Sequence, residues 1–241
     1  MKQPRVIDVC CGAGGFSEGF RQAGFDIVLG VDNWGTAIKT FKYNQHCEVL
    51  KVDIRTLEPG QLPDCDIMIG APPCHEFSIA KQITSRTFDL SIVKAFLKLV
   101  RLYEPSFWVM ENSPELIKHI KKHHQIVKAC GYGLRQRRRR AFFGTLPEDL
   151  TTECNGHRHV PAVAATEWKG CSSRKNMHKM NRFSDYLGRR ATVQECRQEM
   201  GYPDCYEFFG IKEEQYVQIG NSVCPPVAKG IAESIMRNVW T

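Results

Sequence analysis

Apolar residues along this chain gather in short, mostly apolar runs, and between the runs they recur at helical spacing. The runs are Val6 to Cys10, Ile27 to Val31, Val49 to Val52, Asp66 to Ile69 and Phe107 to Met110. Runs this short and mostly apolar suit strands buried on both faces. Between them, Phe16 to Ala23 places Phe16, Gly19, Phe20 and Ala23 on one helical face, and Ala37 to Asn44 reads as a second helix. Ser91 to Leu102 repeats Ile92, Ala95, Phe96, Leu99 and Val100 at the same spacing. Strands alternating with helices predict an α/β protein with a doubly wound, mostly parallel sheet. Ligands of such sheets bind beyond the carboxyl ends of the strands. Asp32, Asp53, Cys74 and Glu111 all fall at or just beyond such ends.

Past Glu111 the periodicity loosens. Pro114 to Ala129 is predicted helical, and Arg135 to Arg140 leads into a strand-like Ala141 to Gly144. Residues 147–187 are turn-rich and basic, and read as an insert. Thr192 to Met200 and Pro225 to Val239 are predicted helices, with a sharp turn expected at Gly220-Asn221.

Composition narrows the class. At 241 residues and 42% hydrophobic content, one large domain with a small appendage is expected. No apolar run is long enough to cross a membrane, and Met1 to Arg5 enters the first strand without a leader pattern. Eleven cysteines lack any C-x-x-C spacing, so reduced thiols and a cytoplasmic setting are expected. The net charge of +7 is unevenly placed. From Lys118 to Arg190 there are 17 Lys and Arg against 5 Asp and Glu, and the remainder of the chain is net acidic. A basic third on an otherwise acidic chain fits a polyanionic partner, most simply nucleic acid.

Four further motifs accompany Pro72-Pro73-Cys74. Two prolines make a stiff turn, and Cys74 is the first side chain beyond it, a fitting post for a nucleophile. Asp8 to Gly15 is a glycine turn that would let backbone approach a cofactor. Ser17 stands where a dinucleotide fingerprint has its third glycine. Asp32 suits a ribose diol, and Asp53 an adenine amino group. Glu111-Asn112-Ser113 ends a strand beside apolar residues, which would raise the carboxyl pKa. Gln136 to Arg140 carries four arginines. Gln218 to Ala228 runs through Asn221 into Pro225-Pro226, a good helix start.

In order and spacing, these segments resemble the C5-cytosine DNA methyltransferase family, from Asp8 to about Ile235. Pro72-Pro73-Cys74, Glu111-Asn112, the Gln-x-Arg-x-Arg set Gln136, Arg138 and Arg140, and Gly220 to Val223 carry the resemblance. It implies a Rossmann-like catalytic body from residues 1–144 and 190–241, with a reduced target-recognition region at 145–189. S-adenosyl-L-methionine is the implied cofactor, against Cys10, Gly12, Gly14, Phe16, Asp32, Trp34, Asp53, Pro73, Asn221, Ser222 and Val223. The implied catalytic set is Cys74, Glu111, Arg138 and Arg140, acting on a cytosine flipped from double-stranded DNA. DNA contacts are expected from Ser78, Arg86, Arg137 and Arg182, and from Arg158, Arg174 and Lys175 in the insert. A monomer is expected.

Departures from the family pattern are specific. Cys10, His75 and Ser113 stand where phenylalanine, glutamine and valine are usual. Only 24 positions separate Asn112 from Gln136, so the strand usual there is expected to be missing. The short insert implies a short recognition sequence. Cys154, His157, Cys171 and His178, with His159, are a weakly patterned zinc set, and no metal is expected. The competing readings are an RNA cytosine methyltransferase, a non-catalytic DNA-binding protein on the same fold, and a dinucleotide oxidoreductase, which the missing glycine disfavours. Restriction-linked, solitary and phage-borne enzymes would look alike, with compactness favouring mobile DNA.

Overall fold

The computed structural model describes residues 3–73, 89–151, 153–154, 159–170 and 182–239. Among these, seven strands pair into one sheet: β1 (Arg5–Val9), β2 (Asp26–Asp32), β3 (Glu48–Lys51), β4 (Ile67–Gly70), β5 (Phe107–Asn112), β6 (His124–Lys128) and β7 (Arg139–Gly144). Their order is β3-β2-β1-β4-β5-β7-β6. The first five are parallel, and β7 runs antiparallel to both its neighbours. The chain leaves β1 toward β2 and β3, then crosses back to β4 on the other side. The β1/β4 boundary is therefore the switch point, where the two connections diverge and open a crevice. Glycine turn and Pro-Pro turn flank it.

The helices are α1 (Gly15–Gln22), α2 (Gly35–Gln45), α3 (Ser91–Tyr103), α4 (Phe183–Leu187), α5 (Val193–Glu199), α6 (Lys212–Asn221) and α7 (Pro225–Val239). They cover both faces of the sheet. Phe16, Phe20 and Ile231 belong to the core on one face, and Val93, Phe96 and Leu99 of α3 to the core on the other. Each large apolar side chain so buried contributes about 1.5–3 kcal/mol. Val93, Phe96, Leu99 and Val100 face inward while Lys94, Lys98 and Arg101 are exposed, as the 3.6-residue period requires. Thr192 and Glu195 form a reciprocal capping box that starts α5.

Four expectations are corrected. Pro114 to Ala129 is a 3-10 turn at Pro114–Lys118 followed by β6, not a helix. Pairing with all of Arg139 to Phe143 fixes β6, and Val127 is buried by it. The strand expected to be missing is thus present, since the pairing edge of β7 decides the conformation over weak local propensity. Gly220-Asn221 is not a sharp turn but the last turn of α6. A Cβ on Gly220 would stand 2.1 Å from the Ala165 nitrogen, so the glycine lets the 164–165 backbone lie directly on the helix end. The thiols are not all separate, because Cys130 and Cys154 are joined as a disulfide; Cys10, Cys11, Cys47, Cys65, Cys196, Cys205 and Cys224 are free.

The described part of 145–189 shares the main core through Leu150, Val160, Val163 and Phe183. Among the described residues, no helix is long and apolar enough to cross a membrane.

Candidate active site

On the cofactor side of the switch point, β1 ends at Val9 and runs into a turn in which Cys10 and Gly12 have positive φ (60° and 51°). Asp32 at the end of β2 organises this turn. One carboxylate oxygen accepts from the Gly12 N–H at 2.8 Å, and the other accepts from the Trp34 N–H at 2.8 Å. A Cβ placed on Gly12 would meet nothing within 4 Å, so the turn presents bare backbone to open space. Cys10, Trp34 and Asp53 are half-buried around it. Hydrogen bonds from Arg55 hold the Asp53 carboxyl down at about 2. Burial, followed by the Asp32 charge, pushes the Cys10 thiol well above its ordinary range, so it stays protonated.

A residue that touches a bound molecule needs surface open to it. Cys10, Gly12, Asp32, Trp34, Asp53, Pro73 and Asn221 have it. Four others expected at the cofactor do not. Phe16 is 1% exposed, with its ring against Phe20 and Phe142. Gly14 is packed so that a Cβ would lie 2.7 Å from the Tyr206 hydroxyl. Ser222 accepts a hydrogen bond from Tyr202 at 2.6 Å, and Val223 is buried where its carbonyl meets Gly15. These four shape the wall behind the turn.

Asp8 was not singled out from the sequence. It is fully buried on β1 and accepts from the Ser17 hydroxyl at 2.7 Å. Burial raises its carboxyl to about 7, with Ser17 pulling down and Asp32 pushing up. Ser17, the residue in place of the third glycine, is therefore the partner of a buried acid. The supporting tyrosines Tyr202 and Tyr206 also escaped notice; Tyr206 donates to the Ala13 carbonyl at 2.5 Å. No periodic signal marks them, because the 201–211 segment is irregular.

On the other side, β4 ends at Gly70 and the chain passes through Ala71-Pro72-Pro73. Asn112, buried at the end of β5, donates to the Pro72 carbonyl at 3.0 Å. This bond ties the Pro-Pro turn to the Glu-Asn motif. Cys74, Ser78 and Arg86 lie outside the described residues.

Glu111 precedes Asn112 and is 6% exposed. Arg140 of β7 donates from Nε to its carboxylate at 2.8 Å. Burial raises the Glu111 pKa, while the charges of Arg140 and Arg138 pull it back. The carboxyl is thus more easily protonated than an exposed one, and its partner leaves it a fixed orientation.

Gln136, Arg138 and Arg140 are separated by two positions, and in extended chain that places them on one face. Gln136 and Arg138 are buried, Arg140 is half-buried, and the intervening Arg137 and Arg139 are exposed. The fates of the inward three differ. Gln136 donates to the Glu199 carbonyl at 2.6 Å and accepts from the Val163 N–H at 3.2 Å. Arg138 donates to the carbonyls of Val163 (2.9 Å), Gly220 (2.7 Å) and Ser222 (2.9 Å). Its guanidinium therefore joins the Val163 segment to the Gly220–Ser222 segment. Its charge still reaches Glu111.

Arg182, expected on DNA, also has internal work. It donates to the carbonyls of Thr166 (3.0 Å) and Gly170 (2.8 Å) and pairs with Asp185 at 3.1 Å. It ties the 166–170 segment to the start of α4. Exposed Arg137 remains on the surface; Arg158, Arg174 and Lys175 lie outside the described residues. So do His157, Cys171 and His178 of the zinc set, whereas Cys154 and His159 stand near Cys130. A cavity of about 680 Å³ between Arg5, Asp26, Lys42 and His46 opens at the amino ends of β1 and β2, the opposite end from this rim.

A family model described as C-5 cytosine-specific DNA methylase matches residues 4–169 and 155–237. The Type II methyltransferase M.DdeI of Desulfomicrobium norvegicum is 33% identical over 169 residues, spanning 60% of this chain and 41% of that enzyme. The putative type II methyltransferase M.MJ0563P of Methanocaldococcus jannaschii is 26% identical across 97% of this chain and 99% of its own. Among solved structures, a putative DNA modification methyltransferase encoded within an E. coli prophage superposes with a TM-score of 0.71 at 21% identity, covering 99% of this chain and all of the other. Entamoeba histolytica methyltransferase EhMeth superposes with a TM-score of 0.69 at 17% identity, covering 99% of each. At these identities the structural likeness speaks for the fold alone.

Proposed function

This chain belongs to the C-5 cytosine-specific DNA methylase family, and from that premise we propose that its rim methylates C5 of a cytosine through a transient Cys74–C6 bond. The observation that carries the reading is the Glu111–Arg140 pair, buried at the end of β5 and tied through Asn112 to the Pro72 carbonyl. Nucleophile turn and proton-holding carboxyl are thereby kept on adjacent strands.

The thiolate of Cys74 adds to C6, and the ring electrons move toward N3. Glu111 holds a proton at N3, which cancels the charge that would otherwise build there. Its raised pKa suits a carboxyl that must be protonated near neutral pH. Arg140 fixes its orientation. S-adenosyl-L-methionine, when bound, supplies an electrophilic methyl group to C5. A base then takes the C5 proton, the C5–C6 double bond re-forms, and Cys74 leaves as thiolate. Bare backbone at Gly12, with half-buried Asp32, Trp34 and Asp53 around it, fits an adenosine-bearing cofactor. Those residues and Pro73 would hold it.

A duplex hides C6, so the target base is flipped into the rim. Arg137, Arg158, Arg174 and Lys175 would meet phosphates and base edges. A short recognition region makes few base contacts, each worth about 1–3 kcal/mol, which favours a short recognition sequence. Type II methyltransferase relatives favour DNA over RNA as substrate.

The test is transfer of labelled methyl from S-adenosylmethionine to duplex DNA and, in parallel, to tRNA. DNA labelling that vanishes in Cys74→Ser supports the reading. Undiminished labelling in that variant, or labelling of RNA alone, overturns it.

A further inference from the structure

Three donor groups that the methyl-transfer scheme leaves unused meet at the root of the recognition region. Cys130 follows β6, while Cys154 and His159 flank the start of the insert. One ligand atom from each lies within 4.8 Å of the other two. We propose that in the reduced chain these three residues bind a zinc ion.

Several observations carry this. The two sulfurs are brought together by residues 24 positions apart, with Cα atoms 5.0 Å from each other. A disulfide accounts for those sulfurs, but it has no need of an imidazole beside them. His159 brings a ring nitrogen into the same cluster. Its Nδ1 stands 3.3 Å from the Arg135 carbonyl. A carbonyl only accepts, so Nδ1 carries the proton and Nε2 keeps the free lone pair. Zinc-bound histidines are held by this kind of outer hydrogen bond. Cys130 is buried while Cys154 and His159 are half-buried, so the cluster has a fixed floor and an open side. Two thiolates and a neutral imidazole balance a divalent charge, in a stretch otherwise rich in Lys and Arg. Each thiol gives its proton to solvent as the metal binds, so affinity rises with pH.

The position gives the ion a structural task. Val160 donates its N–H to the Arg135 carbonyl at 3.1 Å and bridges to Gln136. Zinc at Cys130, Cys154 and His159 would pin the insert to the turn between β6 and β7, just before Arg138 and Arg140.

The full chain is purified with a phosphine reductant and added zinc, desalted, and its metal content measured by mass spectrometry. One zinc per chain is expected. Cys130→Ser and Cys154→Ser should each lose it. His159→Ala should weaken zinc in a chelator competition by more than the roughly 10–100-fold that loss of a supporting group costs, and His159→Cys should restore binding. That rescue separates ligand loss from misfolding. Reduced wild type without zinc, zinc retained by Cys130→Ser, or a Cys130–Cys154 cross-linked peptide persisting under reductant would each overturn the proposal.

Discussion

The two sides of the switch point hold their functional groups by different means. On the cofactor side, Asp32 fixes Gly12 and Trp34, and Asp53 binds Arg55, with partners no more than 20 positions away. On the target side, Asn112 reaches 40 positions to Pro72, and Arg138 reaches 82 and 84 positions to Gly220 and Ser222. The first side is assembled from strand-turn-helix units that position their own carboxylates. The second exists only once β5, β7, the insert and the end of α6 have come together. The carboxylates of the cofactor side are thus positioned locally, although Tyr206 reaches 193 positions to the Ala13 carbonyl behind them, while the groups of the target side are positioned by distant parts.

Substitutions on either side sharpen or break that contrast. The largest effect is expected for Glu111→Gln, which should lower kcat by about 10²–10⁴-fold. Calorimetry should find cofactor affinity unchanged; a loss carried by cofactor binding instead would erase the distinction between the two sides. Next is Arg138→Ala. It leaves three carbonyls without their charged donor, and urea denaturation should record a loss of about 3 kcal/mol or more. A loss below 1 kcal/mol would mean that the target side needs no such clamp.

Asp8 provides a pH-dependent comparison on the cofactor side. Its folded pKa of about 7 lies above its ordinary 3.8. Between those values the folded protein binds a proton that the unfolded chain releases, so this group's contribution to stability falls as pH rises from about 4 to 7 and stays low above that. Asp8→Asn removes the dependence. Relative to wild type it should gain about 2–3 kcal/mol on going from pH 5 to pH 8, read from denaturation at both values. An unchanged difference would place the Asp8 carboxyl in the ordinary range. Smallest is Asp32→Asn, which weakens the two backbone bonds at Gly12 and Trp34. About 1 kcal/mol of stability should be lost, with KM for the cofactor raised and kcat for bound substrate retained.

The five parallel strands and α1 to α3 were legible because their apolar residues recur with the periods of strand and helix. The places of Glu111, Asp32 and Gly12 were legible because a strand's end or a glycine turn marks them, whereas Arg140, the second residue of β7, was marked only by the family resemblance. β6 was not, since His124 to Lys128 has little apolar character and is a strand by virtue of its partner. The roles of Arg138 and Arg182 were hidden for a related reason. Arginine in a basic stretch looks like a phosphate contact, and only the fold shows which guanidinium has been claimed by carbonyls.

By itself, then, the sequence determined the doubly wound sheet, the rim at its carboxyl ends and the order of the chemical groups along that rim. These follow from local periodicity and from turns whose backbone limits are intrinsic to proline and glycine. Tertiary structure alone decided which of those groups face outward. Arg140 meets Glu111 while Arg138, two residues away on the same face, is spent on Val163, Gly220 and Ser222. The physical reason is that a buried carbonyl must find a donor wherever the fold has left it, and nothing local to an arginine records which carbonyls will need one.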